Sequence, residues 1–428
     1  MAYISFIIAN ARLLAFGFVV TFFSAFGQTY FISLFSGELR ALFDLSHGEF
    51  GSLYGLATLT SAALMLLVGP LIDRLDLRLF TSAVCALLIA ASFYMAWLPG
   101  SSLVYLYIAI LLLRFSGQGL MTHTGATTMV RYFDQTRGRA LSLTSLGFAA
   151  GEAIFPLLAV SLMATIGWQA TWEYIALALA VGLIPLALWL LKGQSARHRA
   201  FNAAIEAPPP GTAASTLAAA TDRYQWRRRD VLRDLRFYLL LPAILAPGFI
   251  STGIFFNQVF IAESRGWAPT DFAVGFVVYA AATVAGTLVA GPIVDRYSAQ
   301  TLFRYSLIPL GIALVFLAAF DQPLALSAFM VAAGVGTGVY SVSVGALLPE
   351  LYGVRHLGAI RSLGTSLMVL STALSPAVMG LVIDAGGGVA LLALGCVLWV
   401  LIASLLTPVA LKLKPAPRFT PQARRPVN

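Results

Sequence analysis

Arg114 and Glu152 are two opposite charges set deep in consecutive apolar runs that a short loop joins. A charge at the centre of a membrane span costs about 3 kcal/mol on insertion scales, so two of opposite sign at matching depth are expected to pair. Their chemistry is complementary. A guanidinium can clamp a carboxylate substrate through parallel hydrogen bonds, and a carboxylate in a dry interior can carry a proton. At the helical spacing, Gln118, Met121 and Gly125 fall within about 40° of Arg114 and share its face, whereas His123 points away and reads as a structural or interfacial residue. Neutral hydrogen-bonding groups recur elsewhere: Gln28 among the aromatics Phe16 to Phe31, Asn257 and Gln258 in the second half, and Tyr340 near the end. They are expected to complete a substrate site around Arg114. Two alternatives stay open: Arg114 and Glu152 could merely lock two helices together, and Gln28 could serve as polar glue between helices.

The elements that position these groups follow from composition. With 428 residues, 59% hydrophobic and 11% charged, and a mean hydropathy of +0.86, a soluble globular chain is excluded. Apolar stretches of about 20 residues read as spans. Twelve are expected, at 12–35, 50–71, 79–98, 103–130, 140–165, 172–191, 236–261, 272–293, 300–320, 324–347, 358–383 and 388–411. An even count puts both termini on one side. The net charge of +9 reports topology rather than a nucleic-acid partner, since every Lys and Arg except Arg40, Arg265 and Arg114 falls on that same side. By the positive-inside rule that side is the cytoplasm. The fold class expected is an all-α membrane protein of two pseudo-symmetric six-helix bundles: 1–191, a cytoplasmic linker 192–235 with a basic interfacial helix, 236–411, and a cytoplasmic tail 412–428.

The bundles arise from duplication. Gly69-Pro70-Leu71-Ile72-Asp73-Arg74 returns 222 residues on as Gly291-Pro292-Ile293-Val294-Asp295-Arg296, each nineteen residues after a Phe, Phe50 or Phe272. Gly117-Gln118-Gly119 is echoed by Gly336-Thr337-Gly338, and Ser145-Leu146-Gly147 by Ser362-Leu363-Gly364. Such self-similarity in an apolar chain points to two membrane bundles facing across a pathway.

Gly-x-Leu-x-Asp-Arg followed by Arg78 resembles the loop signature between helices two and three of the major facilitator superfamily, over essentially the whole chain. That resemblance implies alternating access, with Gly69, Asp73, Arg74, Arg78, Gly291, Asp295 and Arg296 in a latch that is made and broken as the halves rock. The motif's Gly is expected to let helix ends approach closely, and its Asp to bind cations on neighbouring hairpins. Arg114-x-x-Gly117-Gln118-Gly119 is similar to the superfamily's fourth-helix signature, whose Arg is associated with substrate or proton handling. Tyr132-Phe133-x-x-x-Arg137-x-x-Ala140 with Gly147-x-x-x-Gly151 resembles monocarboxylate porters and their oxalate/formate relatives. Gly147-x-x-x-Gly151 with Pro156 is also similar to drug:proton antiporters.

Other signals are structural. Ser46-His47-Gly48-Glu49 has capping-box spacing, and His47 reads as a solvated loop residue. Cys85 and Cys396 are expected as buried thiols rather than a disulfide. Pro242, Pro247, Gly248 and Gly253 are expected to break the seventh span. Trp226-Arg227-Arg228-Arg229 is expected as a topological anchor with Trp226 at headgroup level. Gly334-x-Gly336-x-Gly338 suits close helix packing better than phosphate binding, as no strand precedes it. No removable signal peptide is expected. No Walker loop, His-Glu-x-x-His or Gly-x-Ser-x-Gly occurs, so an enzyme, a cofactor and a metal are not expected.

The function expected is secondary transport of a small monocarboxylate-like organic anion, coupled to protons through Glu152, by a monomer in the bacterial inner membrane. Arg114 would bind the anion in competition with Glu152. An efflux antiporter for hydrophobic or cationic compounds, and a non-transporting membrane sensor, are the alternatives.

Overall fold

In a computed structural model, residues 2–133, 136–198, 226–353 and 357–413 are described. Among these residues, twelve membrane-length elements form the bundle, counting one bent pair as a single span. Eleven are helices long and apolar enough to span, beginning at His47–Asp73 and ending at Val389–Lys412. The remaining one is the first span, Ala11–Gly27 and Thr29–Phe43, which meet at a 44° bend. The fourth runs Leu103–Tyr132, the fifth Gly138–Ile166, the seventh Leu235–Phe256, the eighth Pro269–Tyr297 and the eleventh Ile360–Asp384.

Local chemistry sets these boundaries. Ser46 and Glu49 close the expected capping box on the second span, and Asp76 and Ser102 cap the third and fourth. Gly167, at φ +80°, makes the tight turn from the fifth span into the sixth. The seventh span corrects the expectation drawn from its prolines. It stays helical through Pro242 and Pro247 and ends only at Asn257. The helices packed around it hold it in place, with Trp399 Nε1 donating to the Pro242 carbonyl at 3.0 Å.

Packing follows the duplication. The first span lies on the fifth and the third on the sixth; in the second half the seventh lies on the eleventh and the ninth on the twelfth. The halves meet where the second span crosses the eleventh and the fifth crosses the eighth. Small residues permit the first of these crossings. A Cβ on Gly51 or Gly55 would lie 2.4 Å from the Pro376 or Ala373 carbonyl. Leu66, Leu67, Leu288 and Leu405 remain exposed on the outside, where lipid is their natural solvent.

Hydrogen bonds joining the halves gather at the end opposite the termini. The Asp384 carboxylate accepts the His47 and Gly48 N–H groups at 3.0 and 2.7 Å, capping the second span from the eleventh. Ser33 Oγ donates to the Phe255 carbonyl at 2.8 Å. Gln258 Nε2 donates to the Tyr30 carbonyl and Ser33 Oγ at 2.8 and 2.7 Å. This end is closed.

The terminal end shows how the repeated motif works. Gly69–Asp73 winds into a 3-10 turn, Arg131 of the fourth span pairs with Asp73, and Arg78 Nη2 donates to the Leu191 carbonyl at 3.3 Å. All these contacts stay within the first half, and Arg74 is exposed. In the copy, the helix runs straight through Gly291 and Pro292. There Asp295 has no ion-pair partner among the described residues, and Arg296 lies over its neighbour Tyr297. Neither motif glycine makes the close approach expected of it. Nothing lies nearer than 3.7 Å to a Cβ built on Gly69, and Gly291 faces open space.

Trp226 is buried against Tyr352, ring centroids 5.2 Å apart, with the Arg236 guanidinium 5.2 Å from its ring. A buried Asp234–Arg236 pair completes this contact. The Pro208 to Gly211 stretch and the tail with Lys414, Arg424 and Arg425 lie outside the described residues. Cys85 and Cys396 are buried free thiols.

Candidate functional site

The site is built where two helices depart from regular geometry against each other. Ser24–Gly27 tightens into a 3-10 turn, and Gln28 is extended at ψ 153°, so the Gly27 carbonyl leaves the helical ladder. Opposite it, Arg114–Met121 widens into a π-helix. Such turns are uncommon and concentrate at functional sites. Gly27 and Gly117 let the two backbones touch: a Cβ on Gly27 would lie 2.2 Å from the Leu113 carbonyl, and one on Gly117 would lie 2.6 Å from the Gly27 nitrogen.

Arg114 fills this junction. It is 2% exposed, and its Nη1 donates to the Gly27 carbonyl at 3.0 Å and to Thr29 Oγ1 at 3.3 Å. Tyr54 of the second span donates to the same Thr29 oxygen at 2.8 Å, and its ring lies 5.2 Å from the guanidinium carbon. Cation–π and neutral contacts of this kind hold a guanidinium in place without cancelling its charge. Its Nε is buried with no partner.

The expected Arg114–Glu152 ion pair is not formed. The physical reason is the first-span break. It offers Arg114 a freed carbonyl on one side, while Tyr30, just beyond it, belongs to the surroundings of Glu152. Glu152 is 5% exposed, and its electrostatic neighbours are Tyr30 of the first half and Tyr279 of the second. The Tyr30 hydroxyl is buried without a partner, whereas Tyr279 Oη lies 2.9 Å from Thr337 Oγ1. Phe155, one turn from Glu152, has its ring centroid 4.5 Å from those of Phe22 and Phe26. Two buried ionisable side chains therefore stand on either side of one helix break, and neither has an ion-pair partner among the described residues.

The expected site residues divide between the halves. Gln28 forms the break itself and is buried; Gln118, half-buried, abuts Gly27 through its backbone. Gly125 and Met121 share Arg114's burial. Asn257 turns back on its own helix, Nδ2 donating to the Gly253 carbonyl at 2.8 Å. Gln258 clamps the halves together, as above. Tyr340 donates its hydroxyl to the Ile244 carbonyl of the seventh span. His123, set aside from the site, has Nε2 3.1 Å from the Gly69 carbonyl and ties the fourth span to the motif turn.

Four residues escape the sequence reading: Thr29, Tyr30, Tyr54 and Tyr279. Each is a hydroxyl inside an apolar run, the type of signal that singled out Gln28 and Tyr340. What hides their importance is the break at Gly27 and Gln28, which no proline announces.

Comparison with known proteins agrees with this architecture. The sequence profile of the Major Facilitator Superfamily matches twice, over residues 17–259 and 244–428. No curated protein matches the chain. Among solved structures, a bacterial homologue of the human lysosomal transporter Spinster, inward-facing and unoccupied, superposes with a TM-score of 0.69 at 15% identity, over 95% of this chain and 99% of that one. Its inward-facing, occupied form gives 0.65 at 14% identity, over 97% and 100%. Twelve spans, a duplicated loop motif and a double profile match converge: the chain belongs to the Major Facilitator Superfamily of membrane transporters.

Proposed function

We propose that the protein moves a small organic anion together with a proton by alternating access, with Arg114 as the anion's anchor and Glu152 as the proton carrier. The observation that carries this reading is the uncompensated Arg114 guanidinium, buried among neutral partners with its Nε free. A buried charge lacking a counter-ion is costly, and a substrate carboxylate is the group that relieves it. Gln28 and Gln118 border the same junction and supply neutral hydrogen bonds. Tyr54 and the first-span aromatics favour an anion with an apolar part.

Coupling follows from charge balance. An anion entering while Glu152 is ionised brings a second negative charge into a dry site, and protonation of Glu152 removes that repulsion. Anion and proton therefore favour each other's binding, which is the linkage symport requires. Direct competition between anion and Glu152 for one guanidinium is replaced here by coupling across the Gly27–Tyr30 segment. With the termini in the cytoplasm, as the Lys and Arg bias supports, the closed end faces outward and this conformation faces inward.

A second reading, efflux of hydrophobic cations in exchange for protons, is favoured by the aromatic wall of Phe22, Phe26 and Phe155 beside Glu152. Proteoliposomes loaded with a pH dye separate the two. Acidification on adding monocarboxylates, above the passive leak of empty vesicles and lost in Glu152→Gln, supports symport. Proton movement driven only by amphipathic cations supports exchange, and silence with every compound rules out both.

A further inference from the structure

We propose that the seventh and twelfth spans hold one anionic phospholipid, its acyl chain in the groove between them and its headgroup on the arginines that precede the seventh span. The groove, of about 510 Å3, is lined by Leu241, Pro242 and Leu245 on the seventh span and by Gly395, Leu398 and Trp399 on the twelfth, with Tyr238 at its mouth. Leu245 lies ten residues into a helix that begins at Leu235. The groove therefore reaches about 15 Å in from the terminal end, half of a hydrocarbon core of about 30 Å and the depth of one leaflet. Both polar side-chain atoms in its lining are spent on carbonyls. Trp399 Nε1 donates to Pro242 at 3.0 Å and the Tyr238 hydroxyl to Leu232 at 2.8 Å, which leaves hydrocarbon as the surface on offer. Gly395 keeps the space open, since a Cβ built on it meets nothing within 4 Å.

The mouth of the groove supplies a second, independent observation. The bond from Tyr238 to Leu232 holds the segment before the seventh span against the groove, and that segment carries Arg228, Arg229 and Arg233, all exposed. Lys412, also exposed, ends the twelfth span on the same side. None of these four cations has an ion-pair partner among the described residues. The acids nearby are engaged: Asp234 pairs with Arg236, and Asp230 accepts the Arg227 N–H at 2.9 Å. Basic residues at the end of an apolar groove between spans select an amphiphile with an anionic head. A zwitterionic lipid fills the groove without answering the arginines, and a free phosphate does the reverse. A second copy of this chain, related by a two-fold axis across this face, would set the same arginines against each other.

The test uses the full chain, stripped of lipid in detergent and titrated with phosphatidylglycerol, bound molecules being counted by native mass spectrometry. Phosphatidylcholine with the same acyl chains and glycerol phosphate are the controls. One phosphatidylglycerol per chain is expected at concentrations where neither control is retained. Gly395→Trp fills the groove from a position with open space and is expected to abolish that adduct, with the thermal midpoint reporting an intact fold. Leu288→Trp, on the exposed surface of the eighth span, is expected to keep it. Arg229→Gln combined with Arg233→Gln is expected to weaken it about tenfold or more, the scale of two cations lost near an anionic headgroup. Equal retention of both lipids, or an unchanged adduct in Gly395→Trp, overturns the proposal. So does glycerol phosphate bound as tightly as the lipid, which makes the arginines a site for free phosphate. A dimer that Gly395→Trp dissolves, with no lipid lost, overturns it as well and puts a second copy in the groove.

Discussion

The two copies of the duplicated bundle share a scaffold and differ in where their helices break the rules. In the first copy, Gly117-Gln118-Gly119 lies in a π-helical stretch pressed against a broken first span, with Arg114 and Glu152 buried on either side. In the second, Gly336-Thr337-Gly338 lies in a regular helix. There Gly338 serves packing alone, a Cβ on it lying 2.3 Å from the Thr283 carbonyl, and the nearby Tyr340 makes a neutral bond to Ile244. The seventh span, partner of the first, breaks at Asn257, but the Asn257 side chain satisfies the Gly253 carbonyl within the same helix. Duplication thus preserved the walls, and irregular backbone in one copy made room for charge. On the proposed reading, chemistry and support have separated between the halves.

Removing the charge breaks that contrast most severely. Arg114→Gln is expected to abolish substrate flux in proteoliposomes, a loss of at least about 100-fold, while the protein still folds, since a neutral amide is less costly to bury than an unpaired cation. Arg114→Lys should fare little better, because a single ammonium cannot reproduce the planar contacts with Gly27, Thr29 and Tyr54. Retained flux in either variant places the substrate elsewhere.

Glycines test the backbone side of the comparison. Gly117→Ala drives a methyl into the Gly27 backbone and is expected to cost about 1–3 kcal/mol, seen as a fall of several degrees in thermal midpoint together with lost transport. Gly336→Ala, its counterpart in the second copy's tenth span, meets nothing nearer than the Leu310 nitrogen at 3.2 Å and should lower the midpoint clearly less. Equal effects at both positions erase the claimed asymmetry.

Much of this fold is legible in the residues themselves. Apolar runs, the Ser46–Glu49 capping box and the repeated Gly-Pro-x-x-Asp-Arg fix spans, a boundary and the duplication, because each depends on local sequence. The burial of Arg114 and Glu152 is equally readable from their position in the runs. Their failure to pair is not, since it depends on a helix break at Gly27 and Gln28 that no proline marks, among glycines that mostly stay helical elsewhere, and on a π-turn at Arg114. Conversely, Pro242 and Pro247 suggest a break that neighbouring helices suppress. Gln258 and Tyr340 have the right polarity for substrate contact but are spent on tertiary bonds, which only the packed bundle reveals.

The smallest effects should come from the motif aspartates, and they sharpen the comparison most finely. Asp73 pairs with Arg131 while its side chain stays 65% exposed, and Arg131 keeps a second bond to the Ile72 carbonyl at 3.2 Å. An exposed pair of that kind contributes about 0–1 kcal/mol. Asp73→Asn is therefore expected to lower the thermal midpoint only slightly in this conformation, and Asp295→Asn, with no partner to lose among the described residues, not at all. If these aspartates act as latches during rocking, both variants should instead change the transport rate by several-fold at nearly constant stability. A rate change confined to Asp73→Asn would extend the division between the copies from the site to the gate. Equal rate changes would show that the gate, unlike the site, is still shared between them.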